Sequence, residues 1–261
     1  MLVQDMERQG EWLFRNRSYL PLILLPLAVW ELSTHDGYLL NSKSIDFGYK
    51  IACLLISLAG LSIRFFVHAY AHEGSSGRNT KGQLAARLNT TGIYSVIRHP
   101  LYFGNVIMMT GIMLFTRSLF VTLVALLLYL LFHERIILVE ERFLAGKFGE
   151  TFHAWARRTP GFWPKWAHWT QPERSFSWRR GLRAEFYGLL VVIGAMTVLD
   201  IIDTWFVEHV LAAGPFWIVL FTLSLISFIV VRYLRKHTDV LDREPPRKEP
   251  PAEADDDTRI D

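Results

Sequence analysis

Two short polar stretches hold the side chains best placed to do chemistry. The first runs Gly92-Ile93-Tyr94-Ser95-Val96-Ile97-Arg98-His99-Pro100-Leu101-Tyr102-Phe103-Gly104, and the second Glu140-Glu141-Arg142-Phe143-Leu144-Ala145-Gly146-Lys147-Phe148-Gly149. Each adjoins an apolar run, so each is expected at a membrane surface, where ionisable groups are costly to desolvate unless paired or functional. Guanidinium groups such as Arg98, Arg135 and Arg64 grip oxyanions through paired hydrogen bonds. Carboxylates such as Glu140 suit amino groups or hydroxyls, and His133, Glu134 or Glu141 could serve as a base. The loop Ser75-Ser76-Gly77-Arg78-Asn79-Thr80-Lys81 is small and basic, a composition that can wrap a phosphate but also suits an ordinary cytosolic loop. His68 and His72 share one helical face at metal-ligand spacing, yet no third ligand accompanies them, so no metal is expected.

Hydropathy sets the elements that must position these groups. The chain has 261 residues, of which 51% are hydrophobic, with a mean hydropathy of +0.21. The apolar residues come in blocks at Tyr19–Leu32, Tyr49–Tyr70, Leu101–Phe115, Leu119–Phe132, Phe186–Val207 and Pro215–Tyr233. A hydrocarbon core needs about 20 apolar residues per helix, and the blocks lack the alternation of barrel strands. They predict an all-α, multi-pass transmembrane bundle of about six spans. The short link Phe115–Ser118 makes the third and fourth spans a hairpin, which brings both polar stretches to one membrane face. The fourth helix is expected to run past the membrane to Lys147 and stop at Gly149, and the last two spans to turn at Gly214-Pro215.

Residues 1–18, with Trp12, Leu13 and Phe14 among charges, read as an interfacial amphipathic segment. Residues 19–180 form the membrane core, 181–236 an added hairpin, and 237–261 a disordered tail rich in Pro, Glu, Arg and Asp. The Trp-rich stretch 150–180 suits the headgroup layer. Lys and Arg concentrate on the side of the two polar stretches, which places both termini and the pocket mouth in the cytosol. The net charge of +3 is explained by topology and anionic lipid rather than by nucleic acid. Cys53 has no partner, so disulfides play no part. The first span continues as Trp30-Glu31-Leu32 without a small-residue cleavage site and reads as a retained anchor. An integral membrane location follows: plasma or inner membrane in a bacterium, endomembrane in a eukaryote.

Taken together, the two stretches resemble the isoprenylcysteine carboxyl methyltransferase family and its phospholipid N-methyltransferase relatives. The shared pattern is G-x-Y-x-x-x-R-H-P-x-Y-x-G, then E-E-x-x-L-x-x-x-F-G-x-x-Y-x-x-Y with a later Pro, and it spans roughly residues 50–165. Phe152 and Trp155 stand where the family has Tyr. The resemblance implies a cytosol-facing pocket for S-adenosylmethionine beside a lipid-accessible tunnel for the acceptor. By motif position Tyr94, His99, Pro100, Leu101, Tyr102 and Glu140 would line the cofactor, with Asn79, Leu88 and Asn89 upstream. Methyl transfer is an in-line displacement, so positioning dominates. A carboxylate or phosphate acceptor needs cations, for which Arg98, Arg135 and Arg64 are candidates; an amine would need a base such as Glu141. The expected acceptor is a lipid or a lipidated molecule. Two alternatives stand beside this reading: a sterol-type membrane reductase using NADPH, which has a similar terminal region, and a non-catalytic membrane scaffold.

Overall fold

The computed structural model describes residues 2–72 and 85–241. The chain opens with α1 (Leu2–Asn16), then a 3-10 turn Leu20–Leu24 leading into α2 (Leu25–Leu32). There follow α3 (Lys43–Tyr70), the short α4 (Ile93–Val96), α5 (Pro100–Leu114), α6 (Leu119–Phe148), α7 (Glu150–Arg158), α8 (Trp178–Glu208) and α9 (Pro215–His237). Among the described residues the one extended pairing is an isolated bridge between Gly92 and Thr170. The fold is thus the all-α membrane bundle expected. The predicted end of the fourth helix at Gly149 and the hairpin turn before Pro215 both match.

The boundaries follow from local chemistry. Ser42, Ser118 and Ser177 each accept a hydrogen bond from the backbone three residues on, at the starts of α3, α6 and α8, satisfying otherwise orphaned amides. Pro100 and Pro215 occupy first helical positions, where a missing N–H is harmless. Among the described residues four helices, α3, α6, α8 and α9, are long and apolar enough to cross a membrane. The first and third of the six blocks are shorter: α5 has 15 residues, about 22 Å at the usual rise against a core of about 30 Å. Both short segments pack within the bundle. Ala28 and Leu32 of α2 and Met109, Ile112 and Met113 of α5 join Cys53, Tyr129, Met196 and Trp217 in one core.

The tightest seam is between α3 and α5. A Cβ on Gly60 would sit 2.5 Å from the carbonyl of Gly104, so only glycines let the two backbones meet. This contact sets Arg64, one turn past Gly60, directly over Gly104 at the end of the first polar stretch. At the opposite end of the bundle lies a buried charge network. Lys50 sits 3.3 Å from Asp46, 2.9 Å from Asp200 and 2.7 Å from Asp203. Arg117, in the link between α5 and α6, reaches Asp46 at 3.1 Å and also pairs with Asp203. The carboxylate of Asp200 accepts from the amide of Gly214 and so fixes the α8–α9 turn as well. Burial of isolated charges in a membrane is prohibitive, and mutual pairing is what makes this arrangement tenable.

Candidate functional site

The first polar stretch is held open as a turn, α4, and a helix start. Gly92 has φ +61 and ψ −133, a conformation costly for any residue with a side chain. Its amide donates to the carbonyl of Thr170 at 3.1 Å, and the Ser95 hydroxyl donates to the Gly92 carbonyl while accepting from the Thr170 amide. Residues 160–170 continue this strap. The carbonyls of Pro160 and Gly161 accept from the amides of Arg98 and His99 at 2.9 and 3.3 Å, and the Lys165 amide donates to Val96. The Trp-rich stretch thus does more than meet lipid: its backbone satisfies the amides of the Arg98-His99-Pro100 turn. Trp163 and Trp166 remain mostly exposed, as headgroup anchoring requires. Replacing Gly92 with Ala is expected to cost about 1–3 kcal/mol of stability through backbone strain. The new Cβ would also press on Pro172 at 3.2 Å. A fall in melting temperature of the purified protein checks this.

The second stretch meets the first side chain to side chain. His99 Nε2 lies 2.8 Å from Glu141 Oε1, and Arg98 Nε lies 2.9 Å from the same oxygen. Tyr102 donates its hydroxyl to Glu140 Oε2 at 2.9 Å, and the rings of His99 and Tyr102 stack. Arg98 also donates to the carbonyl of Ala156. His99 is buried, whereas Glu140 keeps a third of its side chain accessible. The two signatures, some forty residues apart in the chain, form one cluster.

Around it stand Tyr94, Asn89 and His72, whose Nδ1 lies 2.8 Å from Asn89 Oδ1. Burial, then the nearby Glu140 charge, pushes the Tyr94 hydroxyl well above the usual tyrosine range, so it stays a neutral donor. Trp155, one of the two departures from the family pattern, donates its indole N–H to the Tyr94 carbonyl at 3.0 Å. A donor therefore survives where the family has a tyrosine. Phe152, the other departure, is buried against it.

The expected residues are not all gathered. Tyr94, Arg98, His99, Tyr102, Glu140, Glu141 and Asn89 come together, with Pro100 buried at the start of α5 and Leu88 and Leu101 partly buried. Arg64 is held beside them, giving Nε and one Nη to Glu185 and the other Nη to Asn105. Arg135 is elsewhere, pairing with Glu134 and facing α1. Asn79 and the basic loop around it lie outside the described residues. His68 and His72 turn to separate partners, Glu185 and Asn89.

Glu185 was not foreseen, because it sits on α8, outside the family pattern. Its only signal in the sequence is a lone acid, Glu185, at the edge of an apolar block. It is buried, and its bidentate grip on Arg64 at 2.6 and 3.2 Å orients that guanidinium. Glu185→Gln is expected to destabilise the protein by about 3 kcal/mol, because the part-buried Arg64 loses its buried counter-charge. Denaturation in detergent, compared with Glu173→Gln at the exposed surface, measures the difference.

Residues 47–151 match the family described as phospholipid methyltransferase. The chain is 35% identical over 146 residues to the cobalt-zinc-cadmium resistance protein CzcN of Cupriavidus metallidurans, covering 54% of this chain and 65% of that protein. It is 31% identical over 125 residues to the nickel-cobalt-cadmium resistance protein NccN of Alcaligenes xylosoxydans xylosoxydans, covering 48% of this chain and 56% of that one. The chain thus spans less than two thirds of either relative. No solved structure matches it. The resemblance carried by the two polar stretches is borne out: residues 47–151, which contain both, match the phospholipid methyltransferase family, a family of membrane methyltransferases.

Proposed function

We propose that the chain transfers a methyl group from S-adenosylmethionine to an anionic lipid or lipidated acceptor at the cytosolic face of its membrane. The observation that carries this is the junction of His99 with Glu141 and of Tyr102 with Glu140. The donor set fits the cofactor: a part-exposed carboxylate for an ammonium or ribose hydroxyl, the aromatic faces of Tyr94, His99 and Tyr102 for a base, and the amide of Asn89. When bound, S-adenosylmethionine supplies an electrophilic methyl carbon on its sulfonium.

The residues divide by what already occupies them. Glu140 accepts from one neutral hydroxyl and keeps lone pairs for a cation, so it is assigned to the cofactor. Glu141 is engaged by both Arg98 and His99 and is a positioning residue that holds the turn of the first stretch. Arg64 has given three N–H groups to Glu185 and Asn105. A guanidinium carries five, so two remain for an acceptor oxyanion. An ionised carboxylate or phosphate needs no base, which fits a site where the cations are positioned and Glu141 is spent. Arg135 is not assigned to this reaction.

The curated relatives are named for metal resistance. Methylating an anionic headgroup removes a negative charge from the surface at which divalent cations collect, which is how such an enzyme would bear on metal tolerance. The test is to incubate the purified chain in nanodiscs of total lipid extract with methyl-tritiated S-adenosylmethionine. Label that partitions with lipid supports the proposal. Label confined to protein, or none above a Glu140→Gln control, overturns it.

A further inference from the structure

A second site lies between α1 and the outer half of α6. Helix α1 runs antiparallel to α6 in a definite register. Leu13 packs on Ile136, Gly10 lies against the carbonyl of Arg135, and Glu7 pairs with Arg142. A Cβ on Gly10 would stand 2.6 Å from Val139 Cγ2 as well as against that carbonyl, so α1 is docked on the protein and not merely resting on lipid. Beside this seam opens a groove of about 620 Å³ lined by Arg8, Trp12, Leu13, Leu131, Phe132 and Arg135. That volume falls within the roughly 300–1,000 Å³ typical of small-molecule sites.

The groove has a polarity gradient. Leu131 and Phe132 close the apolar run of α6 and line the deep end of the groove. Toward the cytosol Arg135 follows one turn on, then Leu13 and Trp12 at the level of Ile136, and Arg8 one turn beyond Trp12. An apolar trough below and two guanidiniums above, at the membrane surface, match one molecule in both parts. We infer that the groove binds a membrane phospholipid with an anionic headgroup, its phosphate between Arg8 and Arg135 and an acyl chain along Leu131 and Phe132. The present partner of Arg135 is Glu134, an exposed neighbour on the same helix, and such a pair is weak enough for a phosphate to displace. Leu13 and Phe132 also pack with Tyr102, so a lipid seated here would abut the wall of the catalytic cluster. The inference does not depend on the proposed methyl transfer.

Native mass spectrometry of the full chain, released from detergent with phosphatidylglycerol or with phosphatidylcholine of the same acyl chains, tests it. The wild-type chain is expected to retain one phosphatidylglycerol in preference to phosphatidylcholine. Arg8→Gln/Arg135→Gln should lower that preference by about 30-fold, from about 1 kcal/mol of attraction per basic residue. Arg8→Lys/Arg135→Lys keeps both charges and should keep most of the preference, which separates lost charge from a misplaced α1. Equal binding of the two lipids by the wild type overturns the inference. So does an undiminished preference in the Gln double variant, or loss of it in the Lys double variant with unchanged melting.

Discussion

Glu140→Gln is expected to weaken S-adenosylmethionine binding by roughly 10- to 100-fold, the value of one charge-assisted hydrogen bond at a partly desolvated site. Little stability should be lost. Glu140 is a third exposed, and the Tyr102 hydroxyl that donates to it can donate equally to an amide oxygen. The adjacent Glu141→Gln should show the opposite balance. Its carboxylate holds both Arg98 and His99, and neutralising it leaves a part-buried guanidinium and the buried His99 beside an uncharged partner. The melting temperature should fall first, and affinity should fall only because the turn from Arg98 to Pro100 loosens. Calorimetry for affinity and thermal unfolding for stability, run on both variants, read the two effects apart. Equal losses of both quantities in both variants would remove the division of labour between the neighbouring acids.

Lys50→Met should cost more stability than any other single change considered, at about 3–5 kcal/mol, the usual penalty for stranding buried charges. The Lys50 ammonium is the common partner of Asp46, Asp200 and Asp203, and all four residues are buried. Without it, Asp46 and Asp203 keep Arg117 and Asp203 also the His35 ring, whose Nδ1 lies 2.9 Å from it, while Asp200 keeps the Gly214 amide. A stability of this size is a large fraction of what holds most domains folded. The expected readout is loss of monodisperse protein after extraction from membranes. Adding Asp200→Asn to Lys50→Met removes one of the stranded charges and should recover part of the yield. If Lys50→Met melts within a degree of the wild type, the network is not what fixes α8 and α9 to α3.

The same contacts show why some of this was legible in the sequence and some was not. Membrane helices follow from long apolar blocks, because lipid forces the backbone to satisfy itself internally. The link at Phe115–Ser118 then dictated that the two polar stretches share a face, and the pairs His99–Glu141 and Tyr102–Glu140 bear that out. The first and third blocks form shorter helices than the other four. Apolar residues there are buried against neighbouring helices, and α5 closes at 15 residues. The strap from Pro160 to Thr170 was hidden because it binds through backbone groups, which no residue type announces. Glu185 was hidden because a pair 121 positions apart leaves no local pattern. Arg135 was a candidate on residue type alone; five residues before Glu140 along α6, it lies on another face, toward α1.

The central claim is that one cluster, built from the stretches at 92–104 and 140–149, holds S-adenosylmethionine. Titration calorimetry of the full chain in detergent, with S-adenosylmethionine and separately with NADPH, tests it most directly. The account predicts saturable binding of one S-adenosylmethionine per chain, weakened in Glu140→Gln, and no heat from NADPH. Binding of NADPH instead, or of neither compound by the intact chain, would contradict it.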